Sequence, residues 1–183
     1  MIHYRIGDAT EPIKRPAVLP HCCNDAAGWG RGYVVALSAK YPEPEQAYRK
    51  WFRDGEYEGL GKPELGKCQI VQVKPDIWVA NIIGQHGIQW MGKVPPVRYP
   101  AIEQGLKIAD QFAIKNGASL HSPRIGCVLA GGVWIEIETI ILRSVTVDAY
   151  VYTLPNQVWK WKDAYENPDE GWKGNPIVPM DGK

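Results

Sequence analysis

The chain has 183 residues, 45% of them hydrophobic and 22% charged, with a formal net charge of +1. That length makes one domain with a sizeable core, and the near-neutral balance gives no general electrostatic reason to bind nucleic acid or a membrane, leaving only a local basic patch. No run approaches the roughly 18 apolar residues of a membrane span, Met1 to Ile6 lack a basic-then-apolar leader pattern, and Cys22, Cys23, Cys68 and Cys127 lack zinc-ribbon or C-x-x-C spacing, so a cytoplasmic protein with reduced thiols and no metal is expected.

Residues 2–6 alternate apolar and polar side chains and predict a first strand, closed by Gly7-Asp8. Ala17 to Leu19 begin a short buried strand that ends near His21 and enters a glycine-rich loop. From Tyr33 to Tyr41, the positions of Val34, Val35, Leu37 and Tyr41 fit a helix under that loop, stopped by Pro42. A second helix is predicted over 45–52, with Tyr48, Trp51 and Phe52 inward, and the glycine-containing stretch 53–65 reads as a surface loop. Residues 66–73 and 77–83 predict two strands joined by the turn Lys74-Pro75-Asp76.

Gly84 to Pro96 reads as a loop holding Gln85, His86 and Trp90. A long amphipathic helix follows over about 98–115, with Ile102, Leu106, Ala109 and Phe112 or Ala113 on one face and Asn116-Gly117 as its cap. Ala118 to His121 predict a strand entering a second glycine-rich loop. Residues 133–143 predict a helix with Trp134, Ile137 and Ile141 on one side, and 148–154 a last strand. Strands alternating with helices predict an α/β layer fold, its mainly parallel sheet edged by the 66–83 hairpin. After Pro155 the composition changes: Trp159, Trp161, Tyr165 and Trp172 stand among Lys, Asp, Pro and Gly without a period. The domain is therefore assigned to 1–157 and a Trp-rich tail to 158–183, packed over the domain, covering a ligand or meeting a partner.

The two glycine-rich segments, 18–32 and 122–134, each follow an apolar strand-like run and lead into a helix-like one. One such loop usually only lets the backbone turn. Two, each feeding a helix N-terminus, predict a crevice where backbone N–H groups hold a diphosphate, at the C-terminal ends of the parallel strands. A nucleotide-like ligand is the leading reading. The first loop lacks the G-x-G-x-x-G order, and no acidic residue about 20 positions on ends a second strand, which argues against a Rossmann dinucleotide enzyme.

Gly7-Asp8-Ala9-Thr10, His21-Cys22-Cys23-Asn24 with Gly-Trp-Gly-Arg-Gly behind it, Pro123-Arg124-Ile125-Gly126-Cys127 and Val151-Tyr152-Thr153-Leu154, in that order, resemble the macro domain family, which binds ADP-ribose. The likeness spans roughly residues 2–155. Within the family it is to the branch holding the fungal ADP-ribose-1″-phosphate phosphatase and the terminal ADP-ribose glycohydrolase, through Gly-Trp-Gly-Arg-Gly with Ala36-Leu37 and Lys40-Tyr41-Pro42, and through Leu65-Gly66-Lys67-Cys68. The resemblance implies a three-layer α/β/α domain with a mixed, mainly parallel central sheet and no resident cofactor. It implies that Asp8 accepts a hydrogen bond from the adenine amino group, with the Ala9 N–H nearby. Asn24 and the loop through Gly28, Gly30, Arg31 and Gly32 would flank the distal ribose and its phosphate. The backbone of Gly126, Cys127, Val128, Leu129, Ala130, Gly131 and Gly132 would hold the diphosphate, and Leu154, Pro155 and Asn156 would border the adenosine.

Two features depart from that branch. The glutamate-deconjugating enzyme uses a lysine after the central strand and an acidic residue in the second loop; here the strand runs out through Ile82-Ile83-Gly84-Gln85, and the second-loop position is Ala130. A covalent lysine is therefore not expected, and hydrolysis has to use a general base or a positioned water. His21 is either that acid/base or a structural histidine bracing the loop. Asn24 can orient a ribose hydroxyl or a water, and Asp25, the one carboxylate in either glycine loop, can polarise a water or simply face solvent. His86, past a central strand, is a further acid/base candidate. Arg124 reads as a phosphate partner or as a brace for its loop, and Trp29 as packing or a lid. The expected activity is hydrolysis of ADP-ribose derivatives, from modified proteins or from ADP-ribose-1″-phosphate, with a non-catalytic reader of ADP-ribosylated targets as the alternative.

Overall fold

The computed structural model describes residues 1–157; the tail assigned to 158–183 lies outside the described residues. Among the described residues ten elements follow one another in the predicted order, with a 3-10 turn added inside the second glycine loop: β1 (Ile2–Ile6), β2 (Ala17–Asn24), α1 (Tyr33–Lys40), α2 (Glu43–Asp54), β3 (Cys68–Lys74), β4 (Ile77–Gln85), α3 (Tyr99–Lys115), β5 (Ser119–Ser122), the 3-10 turn (Val128–Ala130), α4 (Trp134–Ser144) and β6 (Ala149–Thr153). The strands form one six-stranded sheet in the order β1-β6-β5-β2-β4-β3. All neighbours are parallel except the β3–β4 hairpin at one edge.

Side-chain alternation along the strands builds the three layers. Val18, Ala80, Ile82, Leu120 and Val151 face α3 and α4, where Ile102, Leu106, Ile137 and Ile141 complete the larger core. The opposite face, carrying Ala17, Leu19, Ile77 and Val79, packs against Leu37 of α1. Tyr48 and Trp51 of α2 cover Cys23 and Ile83 beside them. Gly105 lets α3 approach the sheet: a Cβ there would lie 2.2 Å from Ile82. Among the described residues no helix is long and apolar enough to cross a membrane.

Two strands run further than their sequences indicate. β2 continues through Pro20, His21, Cys22 and Cys23 to Asn24, and β4 reaches Gln85. Proline is unfavourable in a central strand because it removes a ladder donor. Here β5 pairs only with Ala17 and Val18, so one flank of β2 carries no ladder from that point on. The β2–β4 register then shifts between Cys23 and Asn24, a bulge of the kind that re-aims a side chain beside a site.

Candidate ADP-ribose site

The first glycine loop hangs from Asn24. Its Oδ1 accepts the N–H groups of Ala26 (3.0 Å) and Gly28 (2.8 Å), its Nδ2 donates to Gly28 O (2.7 Å), and the Tyr48 hydroxyl donates to Asn24 O (2.6 Å). One buried amide therefore closes the turn that the bulge opens, while Ala27 takes the left-handed conformation at φ 58°. Gly30 and Gly32 also have positive φ, and Gly32 caps the start of α1. Trp29 is packing rather than a lid: it lies 5.4 Å from the His21 ring and 5.2 Å from Tyr48, and its indole N–H donates to Ser38 Oγ (2.8 Å). Arg31 is exposed at the tip.

The second loop leaves β5 at Ser122 and is closed by two backbone bonds, Cys127 N–H to Arg124 O (3.2 Å) and Gly132 N–H to Gly126 O (2.9 Å). A Cβ at Gly132 would lie 2.6 Å from the Gly126 carbonyl oxygen, and one at Gly126, at φ +69°, 2.8 Å from Ile102. Val128 holds φ 64°, which is strained for a β-branched residue and costs about 1–3 kcal/mol. Nothing in the sequence signals this strain, since valine is the residue type least expected there. Arg124 is buried, with its guanidinium 4.4 Å from the centre of the Trp134 ring and 5.2 Å from that of Tyr4, and with Nε donating to Thr153 Oγ1 (3.3 Å). Burial pushes the Cys127 thiol up to about 12, against a downward pull from Arg124, which keeps its sulfur protonated and a poor nucleophile.

The loops meet, because a Cβ at Gly32 would lie 2.9 Å from Leu129. A third wall was not anticipated. Residues 85–97 double back on themselves through the Gln85–Val97 and Met91–Val94 bridges. Ile88 sits on Gly28, and Trp90 and Pro95 sit on Gly131, so this arm touches both glycine loops. It also joins two residues that the sequence offers separately. Asp25 Oδ2 accepts from His86 Nδ1 at 2.6 Å, and Asp25 Oδ1 accepts the Gly87 N–H at 2.7 Å. An ionised carboxylate can only accept, so in this contact His86 Nδ1 carries a proton. Partial burial would raise the Asp25 carboxyl, but the Gly87 N–H and His86 outweigh it and hold it below its ordinary value. The His86 side chain is 49% exposed.

His21 is in a different setting from His86. It is 2% exposed, between the Trp29 and Tyr33 rings. Asn81 Oδ1 lies 2.6 Å from its Nε2, while Asn81 Nδ2 donates to Pro44 O (3.0 Å) and Gln69 Oε1 (2.9 Å). With both amide hydrogens committed, Asn81 accepts and His21 Nε2 carries the proton. Burial lowers His21 to about 4 despite the Asn81 bond, so it is neutral and braces β2 under the loop. Asn81 itself escaped the sequence reading; a lone amide in the apolar run Ile77–Ile83 was the available signal. Past the C-terminal ends of β1 and β6, Gly7 N–H bonds Thr153 O (2.9 Å) and Asp8 Oδ1 accepts the Thr10 N–H (2.8 Å). Ala9 packs on Tyr150 and Tyr152, and Leu154 and Asn156 lie exposed past β6.

No protein-family profile matches the chain. A solved macrodomain protein from Streptomyces coelicolor is 43% identical, with a TM-score of 0.72, 84% of this chain and 99% of that one being covered. The Chromodomain-helicase-DNA-binding protein 1-like of Mus musculus is 30% identical over 191 residues, which take in 97% of this chain but only 20% of that protein. The chain thus spans about a fifth of the length of that curated relative. The ADP-ribose 1″-phosphate phosphatase of Lodderomyces elongisporus is 22% identical over 159 residues, 84% of this chain and 98% of that protein. With its six-stranded mixed sheet between two helical layers and two glycine loops at the strand ends, the chain belongs to the macrodomain family and has the macrodomain fold.

Proposed function

We propose that this chain binds ADP-ribose between its two glycine loops and hydrolyses ADP-ribose derivatives without a covalent lysine, His86 acting as general base under the control of Asp25. The observation that carries the catalytic part is the 2.6 Å Asp25–His86 contact between the first glycine loop and the 85–97 arm. Asp25 fixes the Nδ1–H tautomer and stabilises the imidazolium that forms when Nε2 takes a proton from water. The water attacks the anomeric carbon of the distal ribose, breaking its bond to the side-chain oxygen of the modified protein, which leaves as a carboxylate; or it attacks the phosphorus of a 1″-phosphate, breaking the P–O bond to C1″, whose oxygen leaves with the proton that His86 Nε2 took from the water. Backbone N–H groups of the second loop stabilise the diphosphate and the charge that develops nearby. The substrates are ADP-ribose on modified proteins or ADP-ribose-1″-phosphate, the latter in keeping with the name of the Lodderomyces relative. A cytoplasmic setting, with reduced thiols, belongs to the same reading.

The test is turnover of both substrate classes by the intact chain, by His86→Ala and by Asp25→Asn. Both variants are expected to lose roughly 10²–10⁴ in kcat while holding ADP-ribose within about threefold of the parent affinity (an order-of-magnitude allowance, ~0.7 kcal/mol). Unchanged kcat in His86→Ala removes the dyad from the mechanism. A second reading, a non-catalytic reader, is favoured by one observation: the Asn24 amide is committed to Gly28 and Ala26 inside its own loop. ADP-ribose binding with no turnover of either substrate by the parent chain selects it.

A further inference from the structure

Away from the glycine loops, α2, the segment after it and β3 enclose a groove of about 590 Å³, within the roughly 300–1,000 Å³ of clefts that hold ligands. None of its lining residues belongs to either glycine loop or to the 85–97 arm. Val71 of β3 and Ala47 of α2 give it apolar lining. β3 ends the sheet and is hydrogen-bonded to β4 alone among the described residues. Alternate residues along it therefore direct N–H and C=O groups to an unpaired edge, which is a template for another strand. An open edge with a helix alongside is the arrangement in which extended peptides add to a sheet, main-chain bonds giving affinity and flanking pockets giving selectivity.

The charge on the walls selects the occupant. Glu43, Asp54, Glu56 and Glu58 line the groove against one cation, Lys50, and Lys50 is already paired with Asp54 at 2.7 Å. A second copy of this chain is a poor occupant, because a symmetric contact would set these carboxylates against themselves. We propose that the groove docks an extended segment of a partner polypeptide carrying lysine and arginine, which adds as a strand to the free edge of β3 with its cations among Glu43, Glu56 and Glu58. This inference is independent of the ADP-ribose reading.

The experiment is fluorescence anisotropy on the intact chain with three labelled octapeptides. One alternates Lys and Val, one alternates Glu and Val, and one is the Lys–Val peptide with alternate backbone amides N-methylated, equal in charge but unable to pair. The Lys–Val peptide is expected to bind at least tenfold more tightly than either control and to weaken as salt is added. The double variant Glu43→Lys, Glu58→Lys is expected to lose that affinity at least tenfold, with its circular dichroism and its affinity for ADP-ribose unchanged. Equal binding of the N-methylated peptide, no binding of the Lys–Val peptide, or no loss in the double variant would overturn the proposal. So would a concentration-dependent dimer that the Lys–Val peptide dissociates, since the edge would then belong to a second copy.

Discussion

Asn24 joins strand, bulge and loop through one side chain, so its removal strands several backbone partners at once. Asn24→Ala leaves the Gly28 and Ala26 N–H groups without their acceptor, at a cost of about 1–3 kcal/mol. Thermal unfolding should show that loss, together with weakened ADP-ribose binding; an unchanged Tm would mean that the loop holds itself. His21 gives a pH signature. Its folded value of about 4 lies below the ordinary 6.5, so between those values the unfolded chain binds the extra proton. His21 therefore penalises folding by nothing above pH 6.5 and by up to about 3 kcal/mol as pH falls toward 4. Melting curves from pH 7 to 4.5 should show a smaller acid loss for His21→Gln than for the parent chain, and parallel curves would contradict this. Buried His121, held at about 3 chiefly by burial, keeps the parent slope from vanishing in that variant. The pairing of Asp25 with His86 was not readable from sequence, because 61 residues separate them and only the parallel β2–β4 register brings Asn24 opposite Gln85.

Among the elements, the second loop is the most tightly specified. Gly132 faces a backbone carbonyl that cannot move aside without opening the loop, whereas a side chain at Gly30 would meet nothing within 4 Å and only its φ of +138° resists one. Gly132→Ala should therefore abolish ADP-ribose binding in calorimetry, and Gly30→Ala should weaken it far less; equal effects would show that steric contact is not what shapes the loop. Val128→Gly removes the left-handed strain and should raise stability by about 1 kcal/mol, read as a higher Tm. The glycine spacing made both loops legible. The 85–97 arm was not, because its own sequence reads as a glycine- and proline-rich connection and its role depends on Ile88 and Trp90 reaching glycines far away in the chain. The extension of β2 past Pro20 was hidden for a similar reason: whether a proline ends a strand depends on how long its neighbours are.

For the molecule as a whole, alternation of periods gave every helix and strand and the hairpin edge, since an apolar face must be covered whichever neighbour covers it. The strand order was beyond that reasoning, because β1-β6-β5-β2-β4-β3 is decided by crossovers and not by any one segment's pattern. The same topology gathers the C-terminal ends of the parallel strands β1, β2, β4, β5 and β6 at one rim, from which Asp8, the two glycine loops, the 85–97 arm and Leu154 all emerge; under the proposed function that rim is one ADP-ribose crevice. Isothermal calorimetry with ADP-ribose on the intact chain and on Asp8→Ala tests that crevice most directly. Micromolar binding that falls tenfold or more in the variant, about 1.4 kcal/mol, is the predicted result. A folded parent chain that binds no ADP-ribose would contradict it.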